Sequence, residues 1–342
     1  MRKDLQNSGH STSPQAETGP SARPTGVSRL LSRILEQLSV SSWLPAAMLV
    51  GNLAVMLQMR QLGVIDLVAA LQQLAAKPLG TLVVLLFALL LATMGTQAFE
   101  FEIIRLLEGY RDRASRPALY IAGLQIARHR RKRQVLESRL NRAVQEAYVH
   151  ARAAMTRRPG SYLPEHIQIL DKELLGWPGP PQMTEQQRAA ADTINWQEYV
   201  PAEALYAQDA LLAQLEDYPE EHRMMPTRLG NLLRAGEDRL ALEEDENLEF
   251  FVIRHYDKLP TSLREEHRDY RTRLDMYCSL VLVFSFLAVM SGLLLAAIAE
   301  WWAIAIVMAG FGMMALVSYK AAIASARGYV GVLSEIGRYA QR

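Results

Sequence analysis

Two short stretches hold the residues whose types and spacing point to chemistry. The first, "RHRRKR" at 128–133, gathers Arg128, Arg130, Arg131, Lys132 and Arg133 around one histidine. Cations packed this densely attract anionic lipid headgroups, at about 1 kcal/mol for each basic residue held at a membrane surface. The second, "PTRLGN" at 226–231, offers Thr227 as a helix cap, with Arg228 and Asn231 as polar contacts for a partner. Nucleic acid suits the cations poorly, because no aromatic platform or binding motif accompanies them. Pairing with acidic segments, within the chain or across an oligomer, is an equal alternative to the lipid role.

Signatures of catalysis are missing from the sequence. It has no glycine-rich phosphate loop, no GxSxG and no HExxH, and its seven histidines lack ligand spacing. A non-enzymatic protein without cofactor or metal is therefore expected. "EEHR" occurs twice, at Glu220–Arg223 and Glu265–Arg268. A duplicated unit or an acidic/His metal site competes there with a chance echo between two charged surfaces, and the unlike flanks favour the echo. The single cysteine, Cys278, excludes an internal disulfide and any CxxC site, and reads as a small apolar residue in a helix.

The elements that must position these residues are set by a segregated composition. Half of the 342 residues are apolar, and four stretches approach the roughly 20 residues that cross about 30 Å of hydrocarbon. They are Trp43–Met59, Leu79–Ala98, Tyr277–Ala299 and Trp301–Tyr319, none with Asp, Glu, Lys or Arg before its ends. The first forty residues lack the apolar core of a signal peptide and read as a disordered Ser/Thr/Pro/Gly tail, residues 1–28, followed by an amphipathic helix that puts Leu30, Leu31, Ile34, Leu35 and Leu38 on one face. "VIDLVAALQQLAA" after the first span reads as a second surface helix, on the outer side.

Basic residues cluster before the first span, after the second and at the carboxy-terminal end, whereas the turn between spans three and four is "AEWW". Lys and Arg near span ends stay on the cytoplasmic side. The expected fold class is therefore all-α: an integral membrane protein of the bacterial inner membrane, with both termini cytoplasmic. Four transmembrane helices form two hairpins, 29–98 and 277–319, that flank a helical cytoplasmic domain at 99–276, and a cytoplasmic helix at 320–342 closes the chain.

Within the domain a long helix is predicted over Pro117–Thr156, and others follow a Thr184/Gln187 capping box, Pro201, and a Ser262/Glu265 capping box. Charge is divided between the two halves of this region. Residues 111–158 hold thirteen Lys/Arg against three Asp/Glu, and residues 182–249 hold five against sixteen. Helices are expected to run unbroken out of span two and into span three. At the exit, Glu102 and Glu108 flank Arg105 at helical spacing, as a stalk whose ion pairs contribute a few tenths of a kcal/mol each. Ionisable relay residues are absent from the spans, which argues against proton-coupled transport. Small residues at i, i+4, with Gly51 after Ala47, Gly292 before Ala296 and Ala305 before Ala309, mark helix packing.

"FEFEIIRLLEGY", "PTRLGNLLRAGEDR" and "YKAAIASARGYVGVL" resemble motifs of a group of uncharacterised, largely actinobacterial, polytopic membrane proteins. The resemblance implies a cytoplasmic domain between paired spans and no particular activity. The sequence thus leads to two expectations from different classes. One is a homo-oligomeric membrane protein whose cytoplasmic domain docks a protein partner or senses a signal. The other is an oligomeric channel or membrane-permeabilising effector gated by that domain.

Overall fold

The computed structural model describes residues 40–110, 116–157, 164–176, 185–186, 189, 193–240 and 248–340. The tail, the helix expected over residues 29–38, the Thr184/Gln187 capping box and the acidic run 243–246 lie outside the described residues.

Among the described residues all regular elements are helical. Helix α1 (Val40–Leu62) and helix α2 (Leu67–Ala75) meet at 104°. Gly63, with φ 73°, makes the bend, and Asp66 starts α2 by accepting the Ala69 N–H at 2.9 Å. Helix α3 (Leu79–Glu108) is uncharged from Leu79 to Phe99 and then acquires the charged sequence of the exit without a break. Helix α4 (Arg116–Thr156) matches the long helix read from Pro117, and α5 (Pro164–Leu175) folds back on its carboxy-terminal end. A 3₁₀ turn at Trp196–Tyr199, helix α6 (Ala202–Leu215), a second turn at Glu221–Arg223 and helix α7 (Arg228–Arg239) follow. After α8 (Leu248–His255) and a turn at Tyr256–Lys258, α9 (Thr261–Leu295) and α10 (Trp301–Ala340) form a long hairpin.

Among the described residues three helices, α3, α9 and α10, are long and apolar enough to cross a bilayer, or up to four if bent α1–α2 counts as one span. Asn52, Gln58 and Arg60 dilute α1. Asn52 turns its amide back to the Met48 carbonyl at 2.7 Å, so that helix satisfies its own polar group. At 1.5 Å per residue α9 and α10 reach about 52 and 60 Å, nearly twice the hydrocarbon thickness. Each therefore carries an apolar half and a polar half on one rigid rod. The start of α9 differs from the capping box expected at Ser262: the helix begins two residues earlier, with Pro260 rather than Ser262 in the cap position and no side-chain cap, because the proline ring already fixes the entry angle.

The apolar halves pack through Leu280, Val283, Phe284 and Leu287 of α9 and Ala315 of α10, with Met56 of α1 laid on them. A second cluster of Met59, Ala70 and Leu295 closes the end near the α9–α10 turn. The polar halves are held by another core, in which Ile103 and Ile104 of α3, Leu229 and Leu232 of α7, Leu274 and Cys278 of α9, and Ala322 and Ala326 of α10 meet. Each buried Leu or Ile there contributes about 1.5–3 kcal/mol. Elsewhere, Tyr148 and Met155 of α4 pack with Ile169 and Leu170 of α5. Asp171 locks that pair, accepting the Tyr148 hydroxyl at 2.9 Å and the Arg152 Nε at 2.7 and 3.0 Å.

The two "EEHR" copies adopt unlike structures, the first a 3₁₀ turn and the second a stretch inside α9, so they are not a repeated unit. Among the described residues no group of three or more His, Cys, Asp or Glu side chains is placed to hold a metal.

Candidate functional site

The carboxy-terminal end of α3 is where the sequence motifs converge. Gly109 ends the helix with φ 100°, a left-handed conformation that glycine adopts without strain, and the Pro226 ring occupies the place where a Cβ would stand. Thr227 then does two things with one hydroxyl. Its Oγ1 accepts the Gly230 N–H at 3.0 Å, capping α7 as read from the sequence, and donates to the Glu108 carbonyl at 2.8 Å. The cap thereby fastens α7 to the last turn of α3. Gly230 permits the approach, because any Cβ there would collide with the Glu108 carbonyl oxygen.

Asn231 is fully buried, and its amide is consumed within its own loop. It accepts from the Met225 N–H at 2.7 Å and donates to the carbonyls of Met225 and Thr227 at 2.9 and 2.8 Å. Its work is to fold "PTRLGN". On the α3 side, the Tyr110 ring lies between two guanidinium groups, Arg105 and Arg234, each 5.6 Å from its centroid, and Arg234 also donates to the Tyr110 hydroxyl. Arg105 covers the Phe101 ring too, at 5.7 Å, while Glu102 points outward. From α10, the Tyr319 hydroxyl accepts the Leu229 N–H at 3.4 Å.

A second tie joins this junction to the chain after α6. Asp217 is nearly buried, and its carboxylate takes a two-pronged bond from Arg327 of α10, at 3.0 Å from Nε and 2.6 Å from Nη2. Arg228, the first residue of α7, reaches the same carboxylate at 3.2 Å. Two cations thus neutralise one anion. Arg223 fixes the neighbouring turn by gripping Asp238 and, at 2.9 Å, Glu237.

Beside Arg228 a cleft of about 740 Å³ opens between α4, the end of α6 and the start of α7. Arg128, Arg131, Lys132 and Arg139 rise into it from successive turns of α4, and Arg228 faces them. The floor is mixed, with Leu124, Val135 and Leu136 beside Tyr218 and Gln214. Among the described residues Arg128, Arg131, Lys132 and Arg139 form no ion pair. His129 is half-buried, tilted against the Tyr218 ring at 5.9 Å, and its Nδ1 is enclosed without a hydrogen-bond partner. Burial first, then Lys132, Arg128 and Arg228, push its pKa below the ordinary value, which favours the neutral imidazole.

The five-residue basic cluster accordingly divides. Arg128, Arg131 and Lys132, though exposed, line the cleft, Arg130 is exposed outside its lining, and Arg133 pairs with Glu137 at 3.1 Å along its own helix. Helical periodicity makes the division, since 128, 131, 132, 135 and 139 share one face. Sequence reasoning missed Asp217, Tyr218 and Arg327. Of the small residues, Gly292 packs inside the molecule, where a Cβ would lie 3.1 Å from the Met308 sulfur. Gly51 meets nothing, and Ala296, Ala305 and Ala309 face outward.

Comparison of the chain with family models, with curated proteins and with solved structures gives no match.

Proposed function

We propose that this is a four-span, homo-oligomeric protein of the bacterial inner membrane, with both termini and the helical domain at 99–276 in the cytoplasm, and that the domain receives a signal and passes it to the spans. The observation that carries the proposal is the Asp217 carboxylate. It bonds at once to Arg228, which lines the basic cleft, and to Arg327, which belongs to the same rod as the last apolar helix. A change at the cleft therefore has a short mechanical route into α10. Docking of an acidic protein partner at the same cations serves the same role. On α3, Val84, Phe87, Leu91 and Met94 are largely exposed, a face open to lipid or to a second copy.

The second reading, an oligomeric channel, is favoured by the unbroken passage of α3, α9 and α10 from charged to apolar sequence. Reconstitution of the full-length protein in liposomes, with its mass measured in detergent, separates the two. A stable oligomer without ion flux supports the signal receiver. Flux that ceases when Gly292 or Ala305 is enlarged replaces it with the channel. The topology is tested by a cysteine placed at Arg130: it should react with impermeant maleimide only after the cells are broken, and reaction in intact spheroplasts contradicts it.

A further inference from the structure

We infer that the cleft between α4, the end of α6 and the start of α7 is a binding site for a phosphate-bearing anion of small-molecule size. The inference rests on the signal-receiving role proposed above and supplies its ligand class.

The electrostatics of the cleft are one-sided. Arg128, Arg131, Lys132 and Arg139 stand on one helix face toward Arg228, and Asp217, the carboxylate in the lining, is already bonded by Arg327 and Arg228. Arg128, Arg131, Lys132 and Arg139 are solvent-exposed and without a carboxylate partner among the described residues, so they repel one another, and a bound anion relieves that repulsion. Three of the four are arginines, whose planar forks fit phosphate oxygens in pairs. A single carboxylate would leave most of these donors unused, whereas phosphate oxygens, one group or several, engage more of them together.

The remainder of the lining accommodates the body of such a ligand. Leu124, Val135 and Leu136 give an apolar flank, Tyr218 adds a ring, and about 740 Å³ lies within the range of small-molecule sites. His129 lies in the same lining, half-buried against the Tyr218 ring. This chemistry comes either from a soluble polyphosphate compound or from the headgroup of a phospholipid.

Two probes separate the sources, both with the full-length protein in nanodiscs. Inorganic tripolyphosphate is titrated against protein in phosphatidylcholine alone, and a phosphatidylglycerol carrying a photoreactive headgroup is crosslinked in a parallel sample. Saturable tripolyphosphate binding that weakens at least tenfold in the Arg131→Gln/Lys132→Gln protein supports the site with a soluble ligand. Photolabelling of residues 124–139 that is lost in the same variant supports it with a lipid. Arg130→Gln/Arg133→Gln, which changes as much charge outside the cleft, should alter neither. Equal losses in the two double variants, or no binding of either probe, overturns the site. Binding as described with no response in α10 leaves the site standing and removes the signal-receiving role.

Discussion

Arg327 on α10 grips Asp217 at the end of α6 with two hydrogen bonds, 3.0 and 2.6 Å long, across 110 residues of sequence. That one bidentate contact joins the cleft to the helix that carries the last apolar segment. It is partly exposed on the arginine side, with 48% of that side chain open to solvent, so its contribution is that of a screened charged pair. Asp217→Asn leaves Arg327 and Arg228 without their shared anion and should lower stability by about 1–2 kcal/mol, read as a fall in melting temperature in detergent. Arg327→Lys keeps the charge but loses the fork, and should recover only part of it.

Thr227 joins the cap of α7 to the final carbonyl of α3. Thr227→Ala should cost about 1 kcal/mol from the lost cap alone, with a further loss from the stranded Glu108 carbonyl. Thr227→Ser keeps the hydroxyl and should melt close to the wild type. Thermal unfolding followed by circular dichroism distinguishes the pair.

The glycines make a matched test of position. Gly230→Ala forces a methyl against the Glu108 carbonyl oxygen, and Gly109→Ala places a Cβ on both a left-handed residue and the Pro226 ring. Each should destabilise by at least about 1–2 kcal/mol. Gly51→Ala meets nothing within 4 Å, and so should be neutral or slightly stabilising. Yields of monodisperse protein and melting temperatures check all three.

The pH dependence follows from His129. Lys132 and Arg128 flank it on α4, with Arg131 and Arg139 on the same face. Arg228 stands opposite, and Tyr218 and Asp217 approach from the end of α6. Its folded pKa lies below 6.5, so the unfolded chain binds the proton first. Stability is accordingly unaffected by this group above pH 6.5 and falls as the pH drops towards the folded value. A bound phosphate favours the imidazolium and reverses the sense for binding. Tripolyphosphate should therefore tighten more between pH 7.5 and 5.5 in the wild type than in His129→Gln, and parallel titrations of the two proteins measure the difference.

The long helices were legible because they rest on local properties. Apolar run length marked α3, α9 and α10, Pro117 and helical periodicity marked α4, and the hydroxyl of Thr227 marked the start of α7. The α1–α2 bend was harder, since its polar residues leave a span signal too weak to stand alone. The cleft was half legible. Density of charge pointed to Arg128–Arg133, yet only the helix face decides that Arg128, Arg131 and Lys132 line it. Arg228 was singled out for its motif, but that it faces α4 depends on tertiary packing. Asp217 and Arg327 look in sequence like ordinary surface charges, because no local pattern encodes a partner 110 residues away. Asn231 was read as a partner contact for the same reason: its burial comes from the fold of its own loop, which composition does not reveal.

The most direct test of the central claim, that occupancy of the cleft reaches the spans through Asp217 and Arg327, is hydrogen exchange of the full-length protein in nanodiscs with and without tripolyphosphate. The account predicts altered exchange both in the cleft-lining part of α4 and in α10 around residues 319–333, and predicts that Arg327→Gln keeps the first change and loses the second. A change confined to the cleft in the wild-type protein would contradict it.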